Sequence, residues 1–238
     1  MKLVVTLAGI PIGLEISNAT YRFVFEPYIT PDRAPVAWIH VPEADLSAAR
    51  PLYGRESSAA YVEYMELCPL VSDLLLSYRR VIFHSTAFLW HDKAWLLTAA
   101  SGVGKTTQYI QWKRLYGEDV QILNGDKPIL RFEEKSIYVC ASPWTGKEGM
   151  GQNFEAPLGG ILFLKQAPEN MISTMSPERA AGPLFAQFLC TRKDTWNVTA
   201  VCNLLEEMLR STPIYQYKNR GDIRSAALCK KMLERKCL

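Results

Sequence analysis

The sequence predicts an α/β fold, and three observations support this prediction. Short apolar segments bounded by Gly, Pro, Asn or Asp alternate with longer segments of helical periodicity across the 238 residues. The composition, 48% hydrophobic and 21% charged, is that of an ordinary globular protein. A glycine-rich loop joins the apolar segment at 94–100 to a segment typical of a helix. Strands of mixed direction around such a loop, with flanking helices, indicate an α/β or α+β architecture.

The first 55 residues predict a small β-rich subdomain, and residues 56–238 predict the main domain. In the subdomain we expect strands at 3–8, 12–16, 20–25 and 37–41. The segment 56–80 opens the main domain and has apolar residues at helical spacing, with Pro69 expected to break or restart the helix.

The main domain is expected to continue with a strand pair and a helix that Gly117 caps. The expected strands are at 81–90, 94–100, 119–126, 127–133, 136–142, 159–166 and 213–217. The expected helices are at 106–116, 177–190, 196–211 and 222–235.

Charge and cysteine content exclude several classes of protein. The net charge is +3 with acids and bases interspersed, which predicts no nucleic-acid or membrane-surface partner. Pro11 interrupts the N-terminal apolar run, no cleavage site follows, and no apolar run reaches the ~18 residues of a membrane helix. The cysteines lack metal-ligand spacing, so we expect reduced thiols in a cytoplasmic protein. They are Cys68, Cys140, Cys190, Cys202, Cys229 and Cys237.

The loop SGVGKTT is typical of a phosphate-binding loop. Gly102 and Gly104 allow consecutive backbone N–H groups to point at one anion, and the helix that follows adds its positive N-terminal end. Lys105 would reach the β- and γ-phosphates of a nucleotide, and the Thr106 hydroxyl would ligate Mg²⁺. The full pattern has glycine at the position of Ala99. Alanine can replace that glycine where the backbone φ is negative.

Two further residues are candidates for the chemistry. Asp126 ends the strand after the loop helix, where a carboxylate can hold Mg²⁺ or accept a proton from an attacking hydroxyl. The alternative is an aspartate that only shapes a turn. His84 lies in the strand that enters the site, and its alternative is a histidine satisfied within the core.

Several segments together resemble the HPr kinase/phosphorylase fold, which is related to the ATP-dependent phosphoenolpyruvate carboxykinases. They are HSTAFLW at 84–90, KAWLLTAASGVGKTT at 93–107, the acid-terminated strand, and SPWTGKEG at 142–149. The match is closest to stand-alone members that resemble only the C-terminal catalytic domain, a mixed sheet with a phosphate loop and flanking helices. Such proteins often accompany peptide-modification genes, and some phosphorylate a serine on a peptide.

The resemblance implies roles for single residues. Ser101, Gly102, Val103, Gly104, Lys105, Thr106 and Thr107 match the family's ATP- and Mg²⁺-binding loop. Asp126 matches the second of two adjacent acids, and Gly125 stands where the first would be. This chain therefore has one metal-binding carboxylate fewer, or recruits Glu148. His84 matches a histidine close to the transferred phosphate.

The segment 142–149 matches a loop over the nucleotide, from which Lys147 would meet the γ-phosphate. No equivalent of the arginine-rich loop that captures HPr is present, so HPr itself is not the expected substrate. HPr kinases assemble into rings, so the resemblance allows a homo-oligomer.

The expected activity is an ATP-dependent kinase acting on a serine or threonine hydroxyl of a peptide, a protein or free serine. Two alternatives stay open. One is a nucleotide-binding sensor or maturation partner without phosphotransfer, which Ala99 and Gly125 favour. The other is a carboxykinase, which needs a Mn²⁺ site, an oxaloacetate pocket and usually a longer chain.

Overall fold

A computed structural model describes residues 1–54, 56–99, 102–191 and 195–237. Its strands, in chain order, are β1 (Lys2–Leu7), β2 (Ile10–Glu15), β3 (Trp38–Ile39), β4 (Arg80–Phe83), β5 (Thr86–Trp90), β6 (Lys93–Thr98), β7 (Gln121–Asn124), β8 (Ile129–Phe132), β9 (Ile137–Cys140), β10 (Glu155–Gln166), β11 (Met171–Thr174), β12 (Phe188–Leu189) and β13 (Ile214–Asn219). Its α-helices are α1 (Arg22–Phe25), α2 (Glu43–Ala49), α3 (Ala59–Leu76), α4 (Lys105–Tyr116), α5 (Pro177–Phe185), α6 (Thr195–Ser211) and α7 (Ile223–Cys237). Short 3₁₀ segments flank α1 and follow α2 and α4.

The N-terminal strands form a three-stranded sheet. β1 and β2 pair antiparallel around a turn at Ala8 and Gly9, both with positive φ, and β3 adds parallel to β2. The inward side chains Val5, Ile12 and Leu14 are fully buried and share a core with α3 and β4. Side chains from before and after residue 55 pack in this same core. The division into two domains at residue 55 stays a prediction.

The predicted strand at 20–25 is wrong. A 3₁₀ turn at Ala19–Tyr21 and the helix α1 occupy this segment, beginning at Asn18, whose side chain accepts from the Thr20 N–H at 2.9 Å. Alternation in TYRFVF fits a helical face equally well, because Tyr21 and Phe25, four positions apart, both pack on Tyr64 of α3.

Pro69 does not break α3, contrary to expectation. The helix is continuous over 18 residues, and Pro69 lies in its interior. Proline removes one helical hydrogen bond. Residues on either side of it, Leu67, Cys68 and Val71, are buried in the main core, and this packing holds the helix through the gap.

The predicted mixed α/β architecture is confirmed. Ten strands form one sheet, with β12, β4, β8, β9, β10, β6, β5 and β7 in that order and β13 and β11 branching from β10. The first part of β10 pairs antiparallel with β9, and its later part pairs parallel with β6 and β13. β10 therefore joins an antiparallel half of the sheet to a half that contains parallel pairs.

Two connections cross between these halves at the same place. The single strand expected at 81–90 is wrong, because the chain leaves β4 at Phe83 and passes through His84 and Ser85 into β5. The second crossing runs from β7 to β8 through residues 125–128. The Ser85 N–H donates to the Asp126 carbonyl at 2.9 Å, which ties the two crossings together. Thr86 pairs with Leu97 and Ala87 with Asn124, so β6 and β7 both end beside the start of β5. The loop after β6 therefore opens next to both crossings.

Helices cover the sheet and complete two clusters of buried side chains. The larger cluster lies among α3, α5, α6 and the antiparallel half, and the smaller among α4, α7, β5, β6 and β13. The sequence did not predict β11, β12 or α2. No helix in the described part of the chain is both long and apolar enough to cross a membrane.

Candidate functional site

The loop after β6 has the backbone conformation of an anion-binding turn. Gly102 and Gly104 have φ values of +79° and +103°, which favour glycine, and α4 begins at Lys105. Between them Val103 packs against the smaller core cluster, which fixes the loop to the domain. The first N–H groups of α4 have no partner within the helix, so they and its positive end suit an anion. Ser101 lies outside the described residues.

Ala99 fits its position. It is buried at the end of β6, and its φ is not positive, so an alanine side chain causes no backbone strain there. The missing first glycine of the loop pattern therefore does not prevent the turn from forming.

Lys105 lies over the two chain crossings. Its Nζ is 3.2 Å from Nε2 of His84 and 3.5 Å from the carbonyl oxygen of Ala99. Burial lowers the pKa of Lys105, while the nearby charge of Asp126 opposes that shift. These contacts are long, so the ammonium is placed at the loop without being strongly bound by the protein.

Asp126 contacts two cationic or potentially cationic groups. Its Oδ1 is 3.3 Å from Nε2 of His84, and its Oδ2 forms an ion pair with Lys127. Burial opposes ionisation of this carboxyl, but the contacts with His84 and Lys127 outweigh it and lower its pKa from 3.8 to about 2. Asp126 is therefore a carboxylate throughout the neutral range.

One nitrogen of His84 faces both of its partners. Nε2 can donate to Asp126 only when it carries hydrogen, and it can accept from Lys105 only when it does not. Because Asp126 is ionised, a hydrogen on Nε2 gains a charge-assisted acceptor. In that state Lys105 loses its acceptor in the imidazole and is available to an anion in the loop.

A buried asparagine that sequence reasoning missed fixes the turn at Asp126. Asn124 Oδ1 accepts from the N–H groups of Asp126 and Lys127 at 2.9 and 2.7 Å, and its Nδ2 donates to the Ser142 carbonyl at 3.1 Å. The Ser142 hydroxyl in turn donates to the Lys127 carbonyl. The motif N-x-D-K was the available signal, since asparagine commonly bonds to the backbone two residues on.

Gly125 leaves no room for a second acid. A Cβ at this position would lie 2.5 Å from the carbonyl oxygen of Thr145 and 3.0 Å from that of Met150. Glu148 is the nearby alternative, because a Cβ built on Gly146 would lie 3.5 Å from both Glu148 Oε2 and Asp126 Cγ. Both carboxyl groups therefore lie beside Gly146.

The segment 142–149 has a structural part and an exposed part. Trp144 is buried, stacks on Tyr64 and donates from Nε1 to the Tyr64 carbonyl at 2.8 Å, so its ring is not accessible to a nucleotide base. Lys147 is exposed and lines the same cavity as the phosphate loop. Lys147 can therefore approach a phosphate bound in the loop, as the resemblance implies.

All described candidate residues except Val103 line one cavity of about 910 Å³. The phosphate loop and its lysine form one side, with Thr106 and Thr107, and His84 and Asp126 lie at its base. An aromatic surface that the sequence did not reveal forms another side. It comprises Tyr21, Phe23, Val24, Tyr61 and Tyr64. Alternation at 20–25 concealed it, because the segment was predicted as a strand.

The donor set suits a magnesium ion that arrives with a nucleotide. Among the described residues no three His, Cys, Asp or Glu side chains are grouped to hold a metal alone. Thr106 and the Asp126 carboxylate line the same cavity and offer oxygen ligands. Mg²⁺ is usually held by one or two protein oxygens together with substrate phosphates and water, so these residues fit it.

Comparisons with known proteins add a distant structural similarity. Searches against protein-family models and against curated proteins give no match. Among solved structures, the chain is similar to the Hpr(Ser) kinase/phosphatase from Coxiella burnetii, with 10% sequence identity and a TM-score of 0.37. The matched region covers 65% of this chain and 94% of that protein.

Proposed function

We propose that this chain is an ATP-dependent kinase that transfers the γ-phosphate to a serine or threonine hydroxyl of a peptide, a protein or free serine. One observation carries the proposal. Beside a glycine turn that opens a helix, Nζ of Lys105 lies 3.2 Å from Nε2 of His84, and the same nitrogen lies 3.3 Å from Oδ1 of the ionised Asp126. An anion site, a cation and a carboxylate are the parts that phosphoryl transfer uses.

The phosphate groups would lie in the turn formed by Gly102 and Gly104. Backbone N–H groups and the positive end of α4 bind the anion without any side chain moving. Lys105 then turns from His84 to the β- and γ-phosphates, where its charge is better matched. Lys147 at the rim adds a second cation on the γ-phosphate.

Asp126 and His84 would handle the acceptor hydroxyl. The hydroxyl donates to the Asp126 carboxylate, which orients it towards phosphorus and takes its proton as the new bond forms. A pKa of about 2 is low for a base; phosphate charge beside the carboxylate acts to raise this pKa when a nucleotide is bound, and a bound metal cation acts to lower it. His84 holds the other side of the carboxylate in place.

Magnesium would be bound by Thr106 and Asp126 together with the nucleotide. When present, it neutralises charge on the β- and γ-phosphates during transfer. Lys127 occupies Oδ2 of Asp126 in this structure, so its ammonium must give way for the carboxylate to reach a metal.

A nucleotide-binding sensor or maturation partner without phosphotransfer is the second candidate. Gly125 favours it, since the position cannot carry a second acid and Asp126 is already paired with Lys127. Such a protein would bind ATP through the same turn and lysine but would leave the acceptor hydroxyl unactivated.

Acceptor-dependent ADP release separates the two candidates. The protein is incubated with ATP–Mg²⁺ and mixed serine- and threonine-containing peptides, or with free serine, and ADP and phosphorylated product are measured together. A kinase gives equal amounts of both, and both fall in Asp126→Asn. ATP binding that depends on Lys105, with no product from any acceptor, would assign the chain to the sensor class.

A further inference from the structure

The aromatic surface, formed by Tyr21, Phe23, Val24, Tyr61 and Tyr64, is held together by ring stacking. Tyr21 lies parallel to Tyr64 at 5.0 Å between centroids, and Phe23 stacks on Tyr21 at 6.2 Å. Tyr61 packs against Tyr21 at 6.0 Å. Tyr64 is buried and fixed by donation from its hydroxyl to the Pro143 carbonyl at 3.0 Å. These ring contacts therefore form one fixed surface, called the wall below, with the buried Tyr64 at its base.

The outer part of this surface packs against the core on one side and borders the cavity on the other. Phe23 is 63% exposed, and Tyr21 and Tyr61 are only partly buried, although all three line the cavity. None of the five side chains is charged. Folding alone does not require a large exposed ring beside a polar site, and such apolar surfaces commonly mark ligand contacts.

Contacts connect the wall to the Asp126 side of the site. The Lys127 N–H donates to the Trp144 carbonyl at 3.1 Å, and Trp144 stacks on Tyr64. With increasing distance from the phosphate loop, Lys105 therefore comes first, followed by His84, Asp126 and then the wall.

In-line transfer places the acceptor on this side. The bond between γ-phosphorus and the bridging oxygen of ADP breaks as the bond to the serine Oγ forms, and the proton passes to Asp126. The attacking and leaving oxygens lie on opposite faces of the phosphorus. The acceptor is therefore on the Asp126 side, and the wall beyond Asp126 contacts the acceptor rather than adenine.

We propose that the acceptor is a peptide with aromatic or aliphatic side chains next to the phosphorylated hydroxyl, which pack on the aromatic surface. This inference rests on the proposed kinase function and selects among its three acceptor classes. The wall is continuous with the phosphate site through one cavity, and an uncharged wall matches an apolar segment. Free serine has no group that would cover Phe23.

The test compares acceptors of matched length. One peptide pool carries a central serine flanked by Phe, Leu, Tyr and Val, a second carries Asp, Glu, Lys and Gln in the same positions, and free serine is the third acceptor. With ATP–Mg²⁺ we expect phosphorylation of the apolar pool at least about 10-fold faster than of the others, the factor that burial of one large side chain supplies. Equal or faster transfer to the charged pool or to free serine overturns the proposal.

A variant assigns the effect to the wall. Phe23→Ser should raise KM for the apolar pool about 10-fold and leave ATP affinity unchanged, whereas Trp196→Ser, an exposed aromatic on α6 outside the cavity, should change neither. Because Phe23 is exposed, the thermal midpoint should stay the same.

Each remaining outcome of these experiments counts either against the proposed acceptor or against the kinase function. Loss of ATP affinity in Phe23→Ser would mean that the wall holds the base, and loss of a concentration-dependent oligomer would mean that a second copy covers it. Either result overturns the proposal. ATP binding with no transfer to any pool counts against it too, while absence of ATP binding counts against the kinase function itself.

Discussion

Asp126 Oδ1 lies 3.3 Å from Nε2 of His84, where two connections cross between the halves of the central sheet. The bond between the Ser85 N–H and the Asp126 carbonyl holds the two backbone segments together beside this side-chain contact. The contacts of Asp126 with His84 and Lys127 favour its ionised form, and the charge of Lys127 partly balances the negative charge of the carboxylate.

Acid should destabilise the protein through Asp126. Its folded pKa of about 2 is below the unfolded value of 3.8, so the unfolded chain binds the proton first as pH falls. The stabilisation is complete above about pH 4 and is lost as pH falls from about 4 towards 2, with an upper size of about 2 kcal/mol. We expect the difference in unfolding free energy between wild type and Asp126→Asn to shrink between pH 6 and pH 3, measured by urea denaturation.

Asp32→Asn is the control for this pH dependence, because Asp32 is an exposed aspartate outside the cavity. The unfolding free energy of Asp32→Asn should differ little from that of wild type at both pH 6 and pH 3. A difference for Asp126→Asn that is the same at pH 6 and pH 3 would mean that the carboxylate is not stabilised as an anion.

Turnover should depend on the Asp126 carboxylate itself. Asp126→Asn keeps the size of the side chain and the backbone bonds from Asn124, but it removes the negative charge and the proton acceptor. We expect turnover to fall by roughly 10²-fold or more, the scale of a lost general base, with a smaller change in ATP affinity. Phosphoryl transfer and the thermal midpoint are measured on the same variant. Near-normal turnover with a lowered midpoint would make Asp126 a turn residue and Glu148 the next candidate.

ATP affinity should depend on Lys105. Lys105→Ala removes a charge-assisted contact with phosphate worth about 1.5–3 kcal/mol. Calorimetric titration with ATP–Mg²⁺ measures this loss directly. Lys165→Ala removes an exposed lysine at the end of β10, away from the cavity, and should bind ATP as wild type does. Unchanged affinity in Lys105→Ala would refute the assignment of the loop.

Local sequence patterns predicted most elements of the main domain because each carries its own signal. Gly117 ends α4 with a φ of +53°, as expected of a helix-terminating glycine. The hairpin of β8 and β9 follows from alternation and turn residues. The loop, Lys105 and Asp126 were recognisable because their residue types and spacing are tied to phosphate chemistry.

Long-range packing decided what the sequence could not show. The segment 20–25 is helical because Tyr21 and Phe25 pack on a helix far along the chain, and no local pattern reveals that partner. β12 has only two residues and exists through pairing with β4, which likewise leaves no local signal. The role of Lys127 as the ion-pair partner of Asp126 also required the geometry of the turn.

The glycine at 125 should be required for packing. A Cβ there would lie 2.5 Å from a backbone carbonyl oxygen of Thr145, which cannot move aside as a side-chain end can. Gly125→Ala should therefore cost about 1–3 kcal/mol of unfolding free energy, the usual range for overpacking. Gly182→Ala in α5 is the matched control, since a Cβ there meets nothing within 4 Å and alanine favours helix. Equal stability of the two variants would contradict the close approach seen at Thr145.

Orientation of Asp126 should depend on Asn124, whose amide bonds to two consecutive backbone N–H groups and to Ser142. Asn124→Ala leaves the Asp126 N–H without its acceptor and the Lys127 N–H with only the Trp144 carbonyl, so we expect a loss of about 1–3 kcal/mol of stability. The turn would also loosen, and turnover per folded molecule should fall because a carboxylate displaced by about 1 Å no longer meets the hydroxyl.

Ser72→Ala separates this positioning role from a general loss of stability. Ser72 is buried, its hydroxyl accepts from the Ile82 N–H at 2.9 Å, and it does not line the cavity. Its loss should lower stability by about 1 kcal/mol and leave turnover per folded molecule unchanged. The two variants are compared at a temperature where both are fully folded by circular dichroism. If Asn124→Ala then turns over as fast as Ser72→Ala, the asparagine supports the fold alone, and the position of Asp126 is set by its bond to Ser85.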